Sequence, residues 1–137
     1  MTTGKYNNNR ITVDGIRFDS KHEALYYELL KEKKAVGLIL NYELQPQYEL
    51  QPSFKRDGKT VRAITYTADF LIYHNDGSEE VVDIKGMETQ QGIMRRKMFW
   101  HKYPDLKLTW LSRSLKYGDE NGWIDYDELK KRRTKCK

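Results

Sequence analysis

Two rhythms of apolar and polar positions run along the chain. Ile11-Thr12-Val13 and Ile16-Arg17-Phe18 alternate with a period of two on either side of Asp14-Gly15. An Asp-Gly pair between β-formers is a strong hairpin signal. The rhythm then lengthens. Leu25, Tyr26, Leu29 and Leu30 recur at helical spacing on one inner face, and Ser20-Lys21-His22-Glu23 before them has the form of a capping box. A helix is therefore expected to about residue 35, with Gly37 placed to end it. Residues 38–54 read as extended, and Pro46 and Pro52 mark an edge or a break. Arg56-Asp57-Gly58-Lys59 is a turn, and residues 60–73 are rich in β-formers. A turn at Asn75-Asp76-Gly77 leads to a strand over 79–85, which Gly86 ends. Helical spacing returns over residues 89–101 and stops near Pro104, and 106–111 is a further strand. Residues 112–137 are mixed, with Trp123-Ile124-Asp125 as the segment able to anchor them.

The order of hairpin, helix, strands, helix and strand predicts a mixed α/β (α+β) domain, a central sheet flanked by helices. It occupies residues 11–137 and ends in a basic tail, while residues 1–10 form a loose polar arm.

Strand geometry places certain side chains together. Residues two apart point to the same face, so Asp83 and Lys85 in Val81-Val82-Asp83-Ile84-Lys85 project together, away from Val82 and Ile84. The preceding strand carries Asp69 among apolar neighbours, in Ala68-Asp69-Phe70-Leu71-Ile72-Tyr73. The length of the intervening turn decides whether Asp69 meets Asp83. A two-residue loop, Asp76-Gly77, opposes Asp69 to Ile84 on the wrong face. A three-residue loop, Asn75-Asp76-Gly77, opposes it to Asp83 and puts glycine at the position that prefers positive φ. The favoured turn thus clusters two carboxylates and a lysine. Adjacent carboxylates disfavour each other's ionisation, and a divalent cation relieves that. Mg²⁺ prefers hard oxygen ligands, often one or two carboxylates with water and phosphate. A surface ion pair is the plainer account of the same residues.

Composition narrows the function classes. The 137 residues suffice for one domain with a hydrophobic core, and 33% of them are charged. No apolar run approaches the ~18 residues of a membrane span, and the first residues lack the apolar segment of a secretory signal. A single cysteine, Cys136, points to a reducing cytoplasm. His22, His74 and His101 are too scattered for a structural zinc site. The net charge of +5 is modest, but Arg95-Arg96-Lys97 and Lys130-Lys131-Arg132-Arg133 cluster it, which suits a polyanion such as DNA. A solvated helix face or tail is the alternative. Gln45 and Gln47 are further candidates for nucleic-acid contact.

Asp69 followed, after a hairpin, by Asp83-Ile84-Lys85 resembles the signature of the PD-(D/E)XK nuclease superfamily. Members often add a glutamate from a preceding helix, and Glu23 in Ser20-Lys21-His22-Glu23-Ala24 is similar to it. The run Val13–Ala24, with Leu44-Gln45-Pro46-Gln47 and Tyr66-Thr67-Ala68-Asp69-Phe70, also resembles small phage and prophage proteins of that superfamily. The likeness covers roughly residues 11–111. It departs where Ala68 replaces the usual proline.

The resemblance implies a restriction-endonuclease-like core in αβββαβ order. It also implies hydrolysis of DNA phosphodiester bonds with Mg²⁺, for which Mn²⁺ substitutes. Asp69 and Asp83 would hold the metal, with the Ile84 carbonyl as a further ligand. Glu23 would complete the site, or merely cap its helix, and Lys85 would act on the attacking water. Structure-selective cleavage of branched, Holliday-junction-like DNA in phage recombination, by a homodimer in the cytoplasm of a bacterial host, is the corresponding expectation. The rival functions are a non-catalytic nucleic-acid-binding module with the same fold and an assembly protein whose carboxylates form surface pairs.

Overall fold

Local turn chemistry shapes the first third of the chain. In the computed structural model, which describes residues 10–135, β1 (Ile11–Val13) and β2 (Ile16–Phe18) pair antiparallel with Ile11 opposite Phe18. Residues 1–9 of the expected arm, and Cys136 and Lys137, lie outside the described residues. Asp14 and Gly15 both take positive φ, 55° and 78°, as a two-residue hairpin loop requires.

Helix α1 (Lys21–Ala35) starts where the Ser20 hydroxyl accepts the Glu23 N–H at 3.1 Å. It ends where Leu38 N–H bonds Lys33 O at 2.8 Å and Gly37 N–H bonds Lys34 O at 3.2 Å, with Gly37 at φ 83°. That pair of bonds is a Schellman stop, and glycine takes the left-handed position without strain. Ala24, Tyr26, Tyr27 and Leu30 are buried. Leu25, expected on the inner face, is exposed. At 3.6 residues per turn it lies opposite the direction shared by Tyr26, Tyr27 and Leu30.

The chain continues through β3 (Asn41–Leu44), β4 (Gln47–Gln51), β5 (Phe54–Arg56), β6 (Lys59–Val61), β7 (Ile64–Thr67), β8 (Phe70–Tyr73) and β9 (Glu79–Ile84).

 Seven strands, β3 to β9, therefore follow α1 before the next helix. That helix is α2 (Gln90–Lys102), capped by Thr89, and after it come β10 (Lys107–Arg113), β11 (Trp123–Asp125) and α3 (Tyr126–Lys135). The main sheet has the order β11-β10-β9-β8-β3. Only β9 and β10 run parallel, and α2 forms the crossover that a parallel pair needs. The fold is thus α+β, with a central mixed sheet and three helices among the described residues.

Two apolar clusters cover the sheet. On one side α1 packs Tyr26, Tyr27 and Leu30 against Phe70, Ile72, Val82 and Trp123. On the other, Phe99 of α2 meets Tyr66, Ala68, Leu71 and Val81. The hairpin strands exchange sides between these layers. Leu44 and Phe70 belong to the α1 cluster, whereas Tyr48, Leu50, Tyr66 and Ala68 belong to the α2 cluster. The exchange falls at Gln45, whose φ is 51°, and opposite it at Asp69. Two backbone bonds, Gln45 N–H to Asp69 O at 2.9 Å and Ala68 N–H to Pro46 O at 3.0 Å, hold the pairing through the break. Regular alternation is lost there, so residues 60–73 form parts of three strands rather than one extended run.

The C-terminal segment is not a loose tail over its described part. Tyr126 and Leu129 of α3 are buried, three apart on one helix face. Asp127 and Glu128 occupy its first turn and cations follow, which complements the helix dipole. No helix among the described residues is long and apolar enough to cross a membrane.

Candidate functional site

The turn between β8 and β9 sets the register of the site. His74 N–H bonds Ser78 O at 2.9 Å, which leaves Asn75-Asp76-Gly77 as the loop, with Gly77 at φ 91°. Asp76 stiffens it by accepting the Ser78 N–H at 2.9 Å and the Ser78 hydroxyl at 2.6 Å. Tyr73 then faces Glu79 and Phe70 faces Val82. One step further, Asp69 N–H bonds Val82 O at 3.2 Å, which sets Asp69 against Asp83.

Each side chain is then held by specific partners. One Asp69 carboxylate oxygen accepts the Ile84 N–H at 2.8 Å. Asp83 is buried, accepts the Tyr66 hydroxyl at 2.7 Å and lies 3.4 Å from the Lys85 ammonium. The Lys85 backbone N–H is tied to Leu111 O at 2.8 Å, so the lysine leaves the strand from a fixed point. Its Nζ sits 4.6 Å from the centre of the Trp110 ring. Trp110 donates its indole N–H to the Tyr66 hydroxyl at 2.8 Å. Glu23 comes from the opposite layer, in the first turn of α1. It lines a cavity of about 100 Å³ with Arg17, Leu44, Gln45, Asp69 and Phe70.

The electrostatics are those of carboxylates short of counter-charge. Burial pushes the Asp69 carboxyl well above the usual carboxylate range, and the charge of Asp83, a hydrogen bond with its side chain and the charge of Glu23 push the same way. The Ile84 N–H opposes this only in part. Glu23 is pushed up to about 7, first by burial and then by the charge of Asp19, with a smaller contribution from Asp83. Three carboxylates thus face one ammonium. Hard oxygen donors in that state fit a divalent cation of the Mg²⁺ type. Among the described residues no three His, Cys, Asp or Glu side chains form a ready-made cation cage. The pair Asp69 and Asp83, with the Ile84 peptide beside them, is the set able to hold one.

The other sequence candidates fall in different places. Gln45 is exposed at the rim of the small cavity. Gln47 is exposed on β4 and donates its amide to the Thr67 hydroxyl at 3.2 Å. Arg95 is half-buried and Lys97 is exposed on α2. Arg96 turns inward. Its guanidinium carbon lies 3.8 Å from the Trp110 ring centre and 4.6 Å from that of Trp100, and it pairs with Asp127 at 3.1 Å. It is therefore a brace between α2, β10 and α3 rather than a free surface cation. A larger concavity of about 680 Å³ lies at the far end of the sheet, among His74, Glu79, Glu80, Lys102 and Lys107. The carboxylate cluster does not line it. The site residues that sequence reasoning missed are Tyr66 and Trp110. Tyr66 stands inside a quoted motif, but the layer exchange at Asp69 hides that both reach the same face. Trp110 faces Asp83 only through the parallel β9–β10 register.

A family model described as a protein of unknown function, DUF1064, matches residues 3–119. The chain belongs to the DUF1064 family. The match contains Glu23, Asp69, Asp83 and Lys85 and stops short of β11 and α3. No curated protein matches the chain.

Proposed function

We propose that this DUF1064 protein is a metal-dependent DNA endonuclease with a restriction-endonuclease-like, PD-(D/E)XK-type core. The observation that carries the reading is the opposition of Asp69 and Asp83 on adjacent antiparallel strands, with Lys85 3.4 Å from Asp83. The order of elements in the main sheet layer, α1, β3, β8, β9, α2 and β10, is compatible with the αβββαβ order of that core.

Bound Mg²⁺, or Mn²⁺ in its place, supplies neutralisation of the carboxylates, polarisation of a phosphate and activation of water. Asp69 and Asp83 would hold the cation, with the carbonyl of Ile84, the residue whose N–H Asp69 already accepts, as a further ligand. Tyr66 fixes the Asp83 carboxylate in orientation. Lys85, supported by the Trp110 face, orients the attacking water and offsets charge that develops on the phosphate. Glu23, pushed up to about 7, exchanges a proton near neutral pH at the rim of the site. DNA is the substrate class, and branched DNA such as a Holliday junction is the preferred form within it. A homodimer would present two such sites to two strands.

The test is cleavage of supercoiled plasmid, linear duplex, single strands and a four-way junction in EDTA, Mg²⁺ or Mn²⁺, with Asp83→Asn as control. Metal-dependent cutting that the variant lacks supports the proposal. Absence of cutting on every substrate, with DNA binding retained, replaces it with a non-catalytic binding module.

A further inference from the structure

The hairpin of β5 and β6 stands apart from both apolar clusters. It is a separate two-stranded sheet, and all six of its strand residues are exposed. Asp57 and Gly58 at its tip take positive φ, 53° and 77°, so the ribbon closes with a tight two-residue turn. Phe54 pairs with Val61, Lys55 with Thr60 and Arg56 with Lys59. Directly opposed residues share a face, so one face carries Phe54 and Val61 at the base and Arg56 and Lys59 at the tip. Lys55 belongs to the other face, and exposed Arg62 follows the ribbon. Among the described residues, none of these four cations forms an ion pair. Asp57 is the one carboxylate on the ribbon.

Opposed like charges destabilise a strand pair, and Arg56 and Lys59 are opposed without relief from an acid partner. An external polyanion relieves them. A two-stranded ribbon also matches the major groove in width, about 12 Å. The ribbon joins β4 to β7, the strands that lead away from Gln45 and Asp69. The chain from Asp69 back to the tip spans at most about 40 Å at strand rise, close to one turn of duplex DNA.

We infer that the β5–β6 ribbon is a DNA-binding arm that enters the major groove of a duplex roughly one turn or less from the carboxylate site. Arg56, Lys59, Lys55 and Arg62 contact phosphates along the groove, and Phe54 and Val61 support the ribbon at its root. The inference rests on DNA as the substrate of the proposed function, but it concerns binding and needs no chemistry.

The experiment is fluorescence anisotropy in EDTA, with a labelled duplex about three turns long and a single strand of the same length. Wild type is compared with Arg56→Gln/Lys59→Gln over a range of salt. Both changes are on exposed side chains, and thermal melts check that the fold is retained. The expected result is duplex affinity roughly tenfold weaker near 0.1 M salt, with the salt slope shallower by about two and the single strand less affected. Unchanged duplex affinity in the variant, an equal loss on the single strand, or no duplex binding by wild type overturns the inference. If ribbon-dependent binding is found without metal-dependent cutting, the arm stands and the nuclease reading falls. Cutting that is indifferent to the ribbon changes gives the reverse result.

Discussion

Asp69 is a poor place for a negative charge. It is half-buried, opposite Asp83, with one backbone N–H to compensate. Its carboxyl is raised above the usual range by burial and then by Asp83. A group whose folded-state pKa is raised contributes stability that is fully present below its unfolded value and is lost as pH rises through the folded value. Metal-free protein should therefore lose stability as pH climbs above about 4, and the loss should continue past neutrality. Asp69→Asn should flatten that decline. Its amide oxygen can still accept the Ile84 N–H, and its NH₂ can donate to Asp83. In EDTA at mildly alkaline pH, a gain on the order of 1–2 kcal/mol is expected, read as a higher Tm. No gain, with the same pH dependence as wild type, would remove this account of the pair. Added Mg²⁺ should raise the wild-type Tm by its binding free energy and leave the Asp69→Asn Tm nearly unmoved. Asp83 is the less favourable target for stabilisation, because Lys85 and Tyr66 already support its charge. For activity the order reverses. Asp83→Asn and Lys85→Ala should each cut plasmid cleavage by at least about 10²-fold while circular dichroism stays native.

At the scale of an element, α1 does two jobs through one turn. Ser20 caps the helix by accepting the Glu23 N–H, and the Glu23 side chain faces the carboxylate cluster. The two roles separate by substitution. Ser20→Ala should destabilise the fold by about 1 kcal/mol, measured by urea denaturation, because an orphan helix N–H loses its acceptor. Glu23→Gln should match wild-type stability in acid, where the glutamate is already protonated, and exceed it near neutral pH in EDTA, but lower cleavage by about tenfold or more. It should also remove the share of the metal-free pH dependence that lies between the ordinary glutamate value and about 7. Full activity in Glu23→Gln would reduce Glu23 to a capping residue. The loop of Asn75-Asp76-Gly77 is equally decisive, since one residue fewer shifts every side chain of β8 to the opposite face relative to β9.

Across the whole molecule, the C-terminal elements support the site from behind. Asp127 of α3 pairs with Arg96, which covers Trp110, which bonds Tyr66, which orients Asp83. Trp123 packs edge-on against Tyr26 with ring centres 5.1 Å apart, and Leu129 is buried. Although the family match ends at residue 119, removal of residues 120–137 should open the α1 cluster, which contains Trp123, and strip the α3 cover from Trp110. That variant is expected to lose its near-ultraviolet circular dichroism and cooperative melting. Cooperative, native-like melting of the shortened chain would show that β11 and α3 are dispensable covers.

Much of this architecture is legible in short stretches of sequence because its causes are local. Asp14-Gly15 and Asp57-Gly58 specify tight turns, Ser20 and Gly37 bound α1, and Asn75-Asp76-Gly77 sets the register that opposes Asp69 to Asp83. Period-two alternation then places Lys85 beside Asp83. Other features depend on contacts between segments distant in the chain. Helical periodicity alone put Leu25 inward, whereas the packing of Tyr26 and Tyr27 against the sheet turned it out. The run of cations in residues 130–133 obscured a helix whose buried residues, among those described, are Tyr126 and Leu129. The layer exchange at Gln45 and Asp69 breaks the alternation on which face assignments rest. The parallel register of β9 and β10, set by the seating of α2 rather than by any turn, decided that Trp110 and Arg96 stand behind Lys85 and Asp83. Local sequence determined the site's carboxylate pair and its lysine, because turn length and alternation act over a few residues. Tertiary packing alone determined what surrounds them, because a crossover connection carries no register of its own.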